Sequence, residues 1–237
     1  MTFEDFCRRC YQLGLESVDL LGPDRWDAVK QAGLTCAMCN GPDNIPYGWN
    51  RIEHHEVLLP KFAAAIPKVA EYGFPHIITF SGTRRGMGDE EGLENCAKGL
   101  KRLVPIAEEH KVTVVMELLN SKVDHKDYMA DHTAWGVELC KRVGSERFKL
   151  LYDIYHMQIM EGDLIRTIKD NHQYIAHYHT GGVPGRHEID DTQEIFYPAV
   201  MRAILSTGFK GFVAQEFVPS RPDALASLEE CVRICDV

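Results

Sequence analysis

The chain has 237 residues, 45% of them hydrophobic and 26% charged, with a formal net charge of −9. That length suits one barrel-sized α/β domain spanning 1–237, with enough apolar material for a sizeable core. The acidic balance argues against nucleic acid and anionic membranes as partners, and no apolar run approaches the roughly eighteen residues of a membrane-spanning helix.

The opening FEDFCRRCYQLG has the apolar spacing of a helix within 2–13. It lacks the apolar stretch of a signal peptide, so the cytoplasm is the expected compartment. Two CxxC pairs follow each other, Cys7 with Cys10 and Cys36 with Cys39. A four-thiolate zinc site is the sharper interpretation. The first pair reads as helix, however, and LTCAMCNG as strand, where Cys36 and Cys39 are expected on opposite faces. Reduced thiols packed as small apolar groups are therefore expected.

Strand-like runs occur at 16–21, 34–39, 76–81, 112–119, 148–154, 174–180 and 212–217. Helical stretches lie between them at 24–32, 56–72, 90–110, 134–143, 163–169 and 198–206, with a last one at 224–235. Gly14, Gly33, Gly73, Gly144 and Gly208 stand where helices should stop before the next strand. Pro67 inside 56–72 predicts a kink or break near Ile66. Alternating strands and helices imply a parallel sheet covered by helices. No GxGxxG follows the first strand, which favours a closed (β/α)8 TIM barrel over an open doubly wound sheet. Only seven strands are readable, and the one before the opening helix is absent from this chain. The barrel is thus expected to close imperfectly, with 16–21 and 212–217 drawn toward each other.

A parallel barrel carries its site at the C-terminal strand ends. In order these supply Asn40 and Gly41, then Ser81-Gly82-Thr83-Arg84-Arg85-Gly86, then Glu117 with Asn120, Asp153 with His156, His177 with His179, and Glu216. Glu117, Asp153, His179 and Glu216 each sit in an otherwise apolar run, where a charge is costly unless paired or metal-bound. Three carboxylates and an imidazole suit a divalent ion; salt bridges and helix caps are the alternative for any one of them. The glycine-bounded, basic 81–86 loop is a weak candidate anion cradle. Tyr47 and Trp49 are either pocket wall or ordinary packing.

The segments MELLNS, DIYHMQIMEGDL, HYHTGGVPGRHEID and GFVAQEF resemble the xylose-isomerase-like barrels, more closely hydroxypyruvate isomerases and ketose 3-epimerases. The similarity runs from about His54 onward, and the pattern DxxHxQ…G(D/N)L…PGRHE carries it. The resemblance implies one divalent ion (Mg, Mn, Co or Zn) held by Glu117, Asp153, His179 and Glu216. It makes Glu117 and Glu216 an acid/base pair and sets His156 against substrate oxygens, where the bland alternative is a core histidine. Arg186 in PGRHE is a candidate for a substrate carboxylate or hydroxyl, against a solvated loop arginine; His187 and Glu188 are expected only to position that loop. The third ligand leaves the substrate open, because hydroxypyruvate isomerases carry Gln there and 3-epimerases His.

The expected activity is isomerisation of a small hydroxy-carbonyl or sugar substrate by proton transfer through a cis-enediolate. A ketose 3-epimerase is the alternative within the fold. A metal-dependent hydrolase related to the DNA-repair endonucleases and a non-catalytic sugar-binding barrel are the alternatives outside that chemistry. The sequence is also compatible with a homo-oligomer.

Overall fold

A computed structural model describes residues 1–237. Seven parallel strands follow in sheet order β1 to β7: β1 Ser17–Leu21, β2 Thr35–Cys39, β3 His76–Thr79, β4 Thr113–Leu118, β5 Phe148–Asp153, β6 Ile175–Thr180 and β7 Phe212–Gln215. The helices are α1 Phe3–Gln12, α2 Pro23–Gln31, α3 Ile52–Glu71, α4 Asp89–His110, α5 Thr133–Val143, α6 Ile154–Met160, α7 Leu164–Asn171, α8 Tyr197–Ser206 and α9 Ala224–Cys235. Gly14, Gly33, Gly73, Gly144 and Gly208 all take the positive φ expected of helix-ending glycines.

The apolar layer between strands and helices is continuous and includes Phe62, Leu100, Leu150, Tyr178 and Ile204. A smaller layer of Met38, Ile78, Val115 and Leu151 fills the barrel interior. No helix is long and apolar enough to cross a membrane.

The opening segment is helical, and the barrel has seven strands. β1 and β7 share no ladder, yet some of their Cα atoms come within 8 Å of each other. Two ordinary strand spacings would hold them about 9–10 Å apart. The seam has therefore narrowed without zipping. Every residue of β1 and β7 is only half-buried, whereas β4 is wholly buried.

Two expectations need correction. The break expected near Ile66 does not occur, since α3 continues through Pro60 and Pro67. Its Phe62, Ile66 and Val69 are buried while Pro60 is exposed, so packing of one face holds a helix whose freed outward carbonyls water can serve. Cys36 and Cys39 do not diverge as a regular strand would place them. Val18 pairs with Cys36 and Asp19 with Met38, so Ala37 is an extra residue. This bulge resets the alternation, and both cysteines join the outer apolar layer. Cys7 and Cys10 belong to a separate cluster with Val29 and Leu34, and all eight cysteines are unpaired.

Candidate active site

Strand register assembles the site. Asp153 of β5 lies directly beside His179 of β6, and Glu117 of β4 faces Leu151 one strand earlier. Glu216 follows β7, its N–H donating to the Thr180 carbonyl at 3.1 Å. Glu117, Asp153, His179 and Glu216 each bring a donor atom within 4.8 Å of the others. The sequence-derived quartet therefore converges on one point.

Asp153 has two duties. Its Oδ1 caps α6 by accepting from the His156 N–H at 3.2 Å, so the cap interpretation was correct for one oxygen and incomplete for the other. Oδ2 stays with the cluster, 3.4 Å from Arg186 Nη2. Arg186 also reaches Glu216 Oε2 at 2.6 Å and lies over the Tyr155 ring. It is thus part of the carboxylate cluster and not a solvated loop arginine.

Charges crowd here. Burial, and then the neighbouring Glu216 charge, push Asp153 up to about 8. Burial likewise raises Glu117. Burial also acts on Glu216, but the nearby charges of His179 and Arg186 outweigh it and hold that carboxyl at about 2. His179 Nδ1 lies 2.7 Å from Glu216 Oε2 without the alignment of a hydrogen bond, and is a buried atom with no partner. An orphaned imidazole nitrogen among three carboxylates is a donor set that fits a divalent ion.

His156 is fully buried, and its environment fixes its tautomer. Asn120 Oδ1 accepts from the Val123 and Asp124 N–H groups at 3.0 and 2.9 Å, so its amide NH2 must face His156 Nδ1, 2.7 Å away. Nδ1 is then the acceptor and Nε2 carries the proton. Burial and the nearby Arg186 hold the ring neutral, at about 3. Nε2 has no hydrogen-bond partner and stands 3.6 Å from Asp153 Oδ2. Asp124, which accepts from Asn120 and from the Tyr155 hydroxyl, completes this network and was not anticipated.

Other candidates fall outside the site. In the 81–86 loop, four N–H groups are already donated: Ser81 to the Tyr128 hydroxyl, Thr83 to Pro46, Arg84 to the Asp127 carbonyl and Arg85 to the Asp127 carboxylate. Arg84 pairs with Asp89 and Asp131. The loop is an internal brace, not an anion cradle. Trp49 is fully buried and donates to Thr79 Oγ1 at 2.7 Å, and Tyr47 stacks on His54, so both are packing. Glu188 positions its loop as expected, accepting from Ser220 and Ser227.

Residues 12–233 match the family model described as a xylose isomerase-like TIM barrel. The chain belongs to this family. It is 35% identical over 225 residues to a 2-oxo-tetronate isomerase of Cupriavidus necator, covering 87% of this chain and 83% of that one. It is 29% identical to the hydroxypyruvate isomerase of Escherichia coli, over 88% of this chain and 84% of the other. The crystal structure of an AP endonuclease, family 2, from Brucella melitensis superposes with a TM-score of 0.85 at 24% identity, covering 98% and 93% of the two chains. That last likeness shows the fold alone. With the two sequence relatives, family membership makes the protein an isomerase.

Proposed function

We propose that the protein is a metal-dependent isomerase of short sugar acids and related hydroxy-carbonyl compounds. The observation that carries this reading is the convergence of Glu117, Asp153, His179 and Glu216, with the buried His179 Nδ1 left without a partner. These four side chains would hold one divalent ion, which when bound supplies Lewis-acid stabilisation of charge developing on substrate oxygens.

The chain's own groups do the rest. Isomerisation takes a proton from the carbon bearing a hydroxyl, passes through an enediolate, and returns a proton to the adjacent former carbonyl carbon, while the hydroxyl proton is transferred to the former carbonyl oxygen. No electrons leave the substrate. Glu216 has a 27% exposed side chain against 7% for Glu117, so an incoming substrate reaches Glu216 first. Glu216 and Glu117 form the acid/base pair, one taking the proton and the other returning it. The Nε2–H of His156 donates to a substrate oxygen. Arg186, 22% exposed and already beside two carboxylates, receives an acidic substrate's carboxylate.

His179 as third ligand favours a second reading, 3-epimerisation, given the resemblance to 3-epimerases at that position. One experiment addresses both. Metal-stripped protein is reloaded with Mg, Mn, Co or Zn and given hydroxypyruvate, 2-oxo-tetronate or ketoses in heavy water, with products followed by NMR. Metal-dependent migration of the carbonyl, with deuterium on the adjacent carbon, supports the isomerase. Deuterium on an inverted carbon without migration supports the epimerase. Inactivity toward all of these with every metal would overturn the proposal.

A further inference from the structure

β1 departs from regular geometry at one point. Asp19 pairs with Met38 and Leu21 with Cys39, so Leu20 is an extra residue, and its φ is +58°. A β-branch-free but bulky residue in this left-handed region costs roughly 1–2 kcal/mol. Together with the opposing extra residue Ala37 in β2, it forms a pair of compensating bulges around Asp19. Bulges concentrate beside active sites because they re-aim a side chain.

Asp19 lies between these two bulges and points inward, opposite to Val18, which packs on the outer cluster. The Asp19 side chain crosses the narrowed seam, past β7, and reaches β6. Its Oδ2 accepts from His177 Nε2 at 2.6 Å and from His179 Nε2 at 3.2 Å, and its side chain is only 10% exposed. Its other oxygen, Oδ1, is buried with no partner. Burying a carboxylate this way is unfavourable unless its charge is used, and both partners are imidazoles.

Resting on the metal-site reading above, we infer that Asp19 is a positioning residue that fixes the tautomer and rotation of His179. With Nε2–H donated to Asp19, Nδ1 is the nitrogen that faces Glu117 and Glu216, and it gives up its proton when it holds the ion. A carboxylate behind a metal-binding histidine orients the ring and raises its basicity. His177 is the second donor, and it holds the carboxylate in line from the same strand. The alternatives are that Asp19 only ties the seam together, or that Asp19, His177 and His179 hold an ion of their own.

The test is a cobalt(II) titration of metal-stripped wild type and Asp19→Asn, followed by absorption, with thermal unfolding in parallel. Wild type should bind one ion per chain. Asp19→Asn should bind it about 10–100-fold more weakly. A lower unfolding temperature with affinity within threefold of wild type would reduce Asp19 to a seam tie and overturn the inference. Two ions in wild type, one lost in the variant, would overturn it in favour of a separate site. Failure of wild type to bind any ion would remove the metal reading and this role together, whereas tight binding by both proteins removes only the role of Asp19. Long-range proton–nitrogen NMR of zinc-loaded wild type needs no variant. It should show one histidine protonated at Nε2 with a metal-shifted Nδ1, and a proton on Nδ1 of His179 would overturn the inference.

Discussion

The barrel has a closed side and a seam, and the site draws on both. Glu117, Asp153 and His179 come from β4, β5 and β6, paired on both edges and almost entirely buried. Glu216 comes from the end of β7, an unzipped and half-buried strand. The difference teaches a division of labour. The closed side fixes three groups in register, while the seam presents the one carboxylate that solvent and substrate reach.

The largest expected effect tests that division directly. Glu216→Gln should keep the fold and lower kcat by at least about 100-fold, the range of a lost general base. Metal content measured on the same sample separates a lost base from a lost ligand, and activity within threefold of wild type would break the paired-carboxylate mechanism. Next comes packing. Leu150→Ala, on the closed side at 0% exposure, should cost about 2–5 kcal/mol by urea unfolding. Val213→Ala on the seam strand should cost less than about 1 kcal/mol, since less of it leaves water on folding. Equal losses at the two positions would show the seam to be as tightly packed as the rest.

A smaller effect concerns the loop beside the seam. Glu188 is 3% exposed. Burial would raise it, but hydrogen bonds from Ser220 and Ser227 hold it at about 2. Its folded value thus lies below an unfolded value of about 4.3. Its stabilisation should be complete above that pH and be lost as pH falls toward about 2. Glu188→Gln should cost about 2 kcal/mol at pH 7, and the gap from wild type should shrink below pH 4, as read from unfolding midpoints. A pH-independent gap would mean that shape, not charge, holds the loop. Smallest is a difference in dynamics. Amides of β1 and β7 should exchange with solvent faster than those of β4 to β6, and uniform protection would close the seam after all.

Much of this was legible in the sequence because the relevant signals were local. A charge inside an apolar run marked Glu117, Asp153, His179 and Glu216, and strand alternation put them on one rim. The same signature exists in SVDLL, yet Asp19 was not singled out. Its partners His177 and His179 lie some 160 residues away across the seam, a pairing that strand alternation cannot reveal. The bulge at Ala37 defeated the facing rule for Cys36 and Cys39. The 81–86 loop misled for another reason. Its basic side chain Arg84 and its N–H groups are taken up by Asp127 and Asp131, some forty residues away, and sequence reveals no such long-range pairing.

The first and last helices meet at the seam: Leu228 of α9 packs against the cluster that holds Cys7 and Cys10 of α1. The helical hoop is therefore buckled where the sheet within it is open. That makes the molecule mechanically anisotropic. Tension applied between its two ends would pull on the buckle, parting α1 from α9 one side-chain contact at a time, with no β1–β7 ladder behind it to resist. The β4–β5–β6 wall would bear load only afterwards, in shear. A force–extension trace should accordingly show a weak early step of helix release before a stronger rupture.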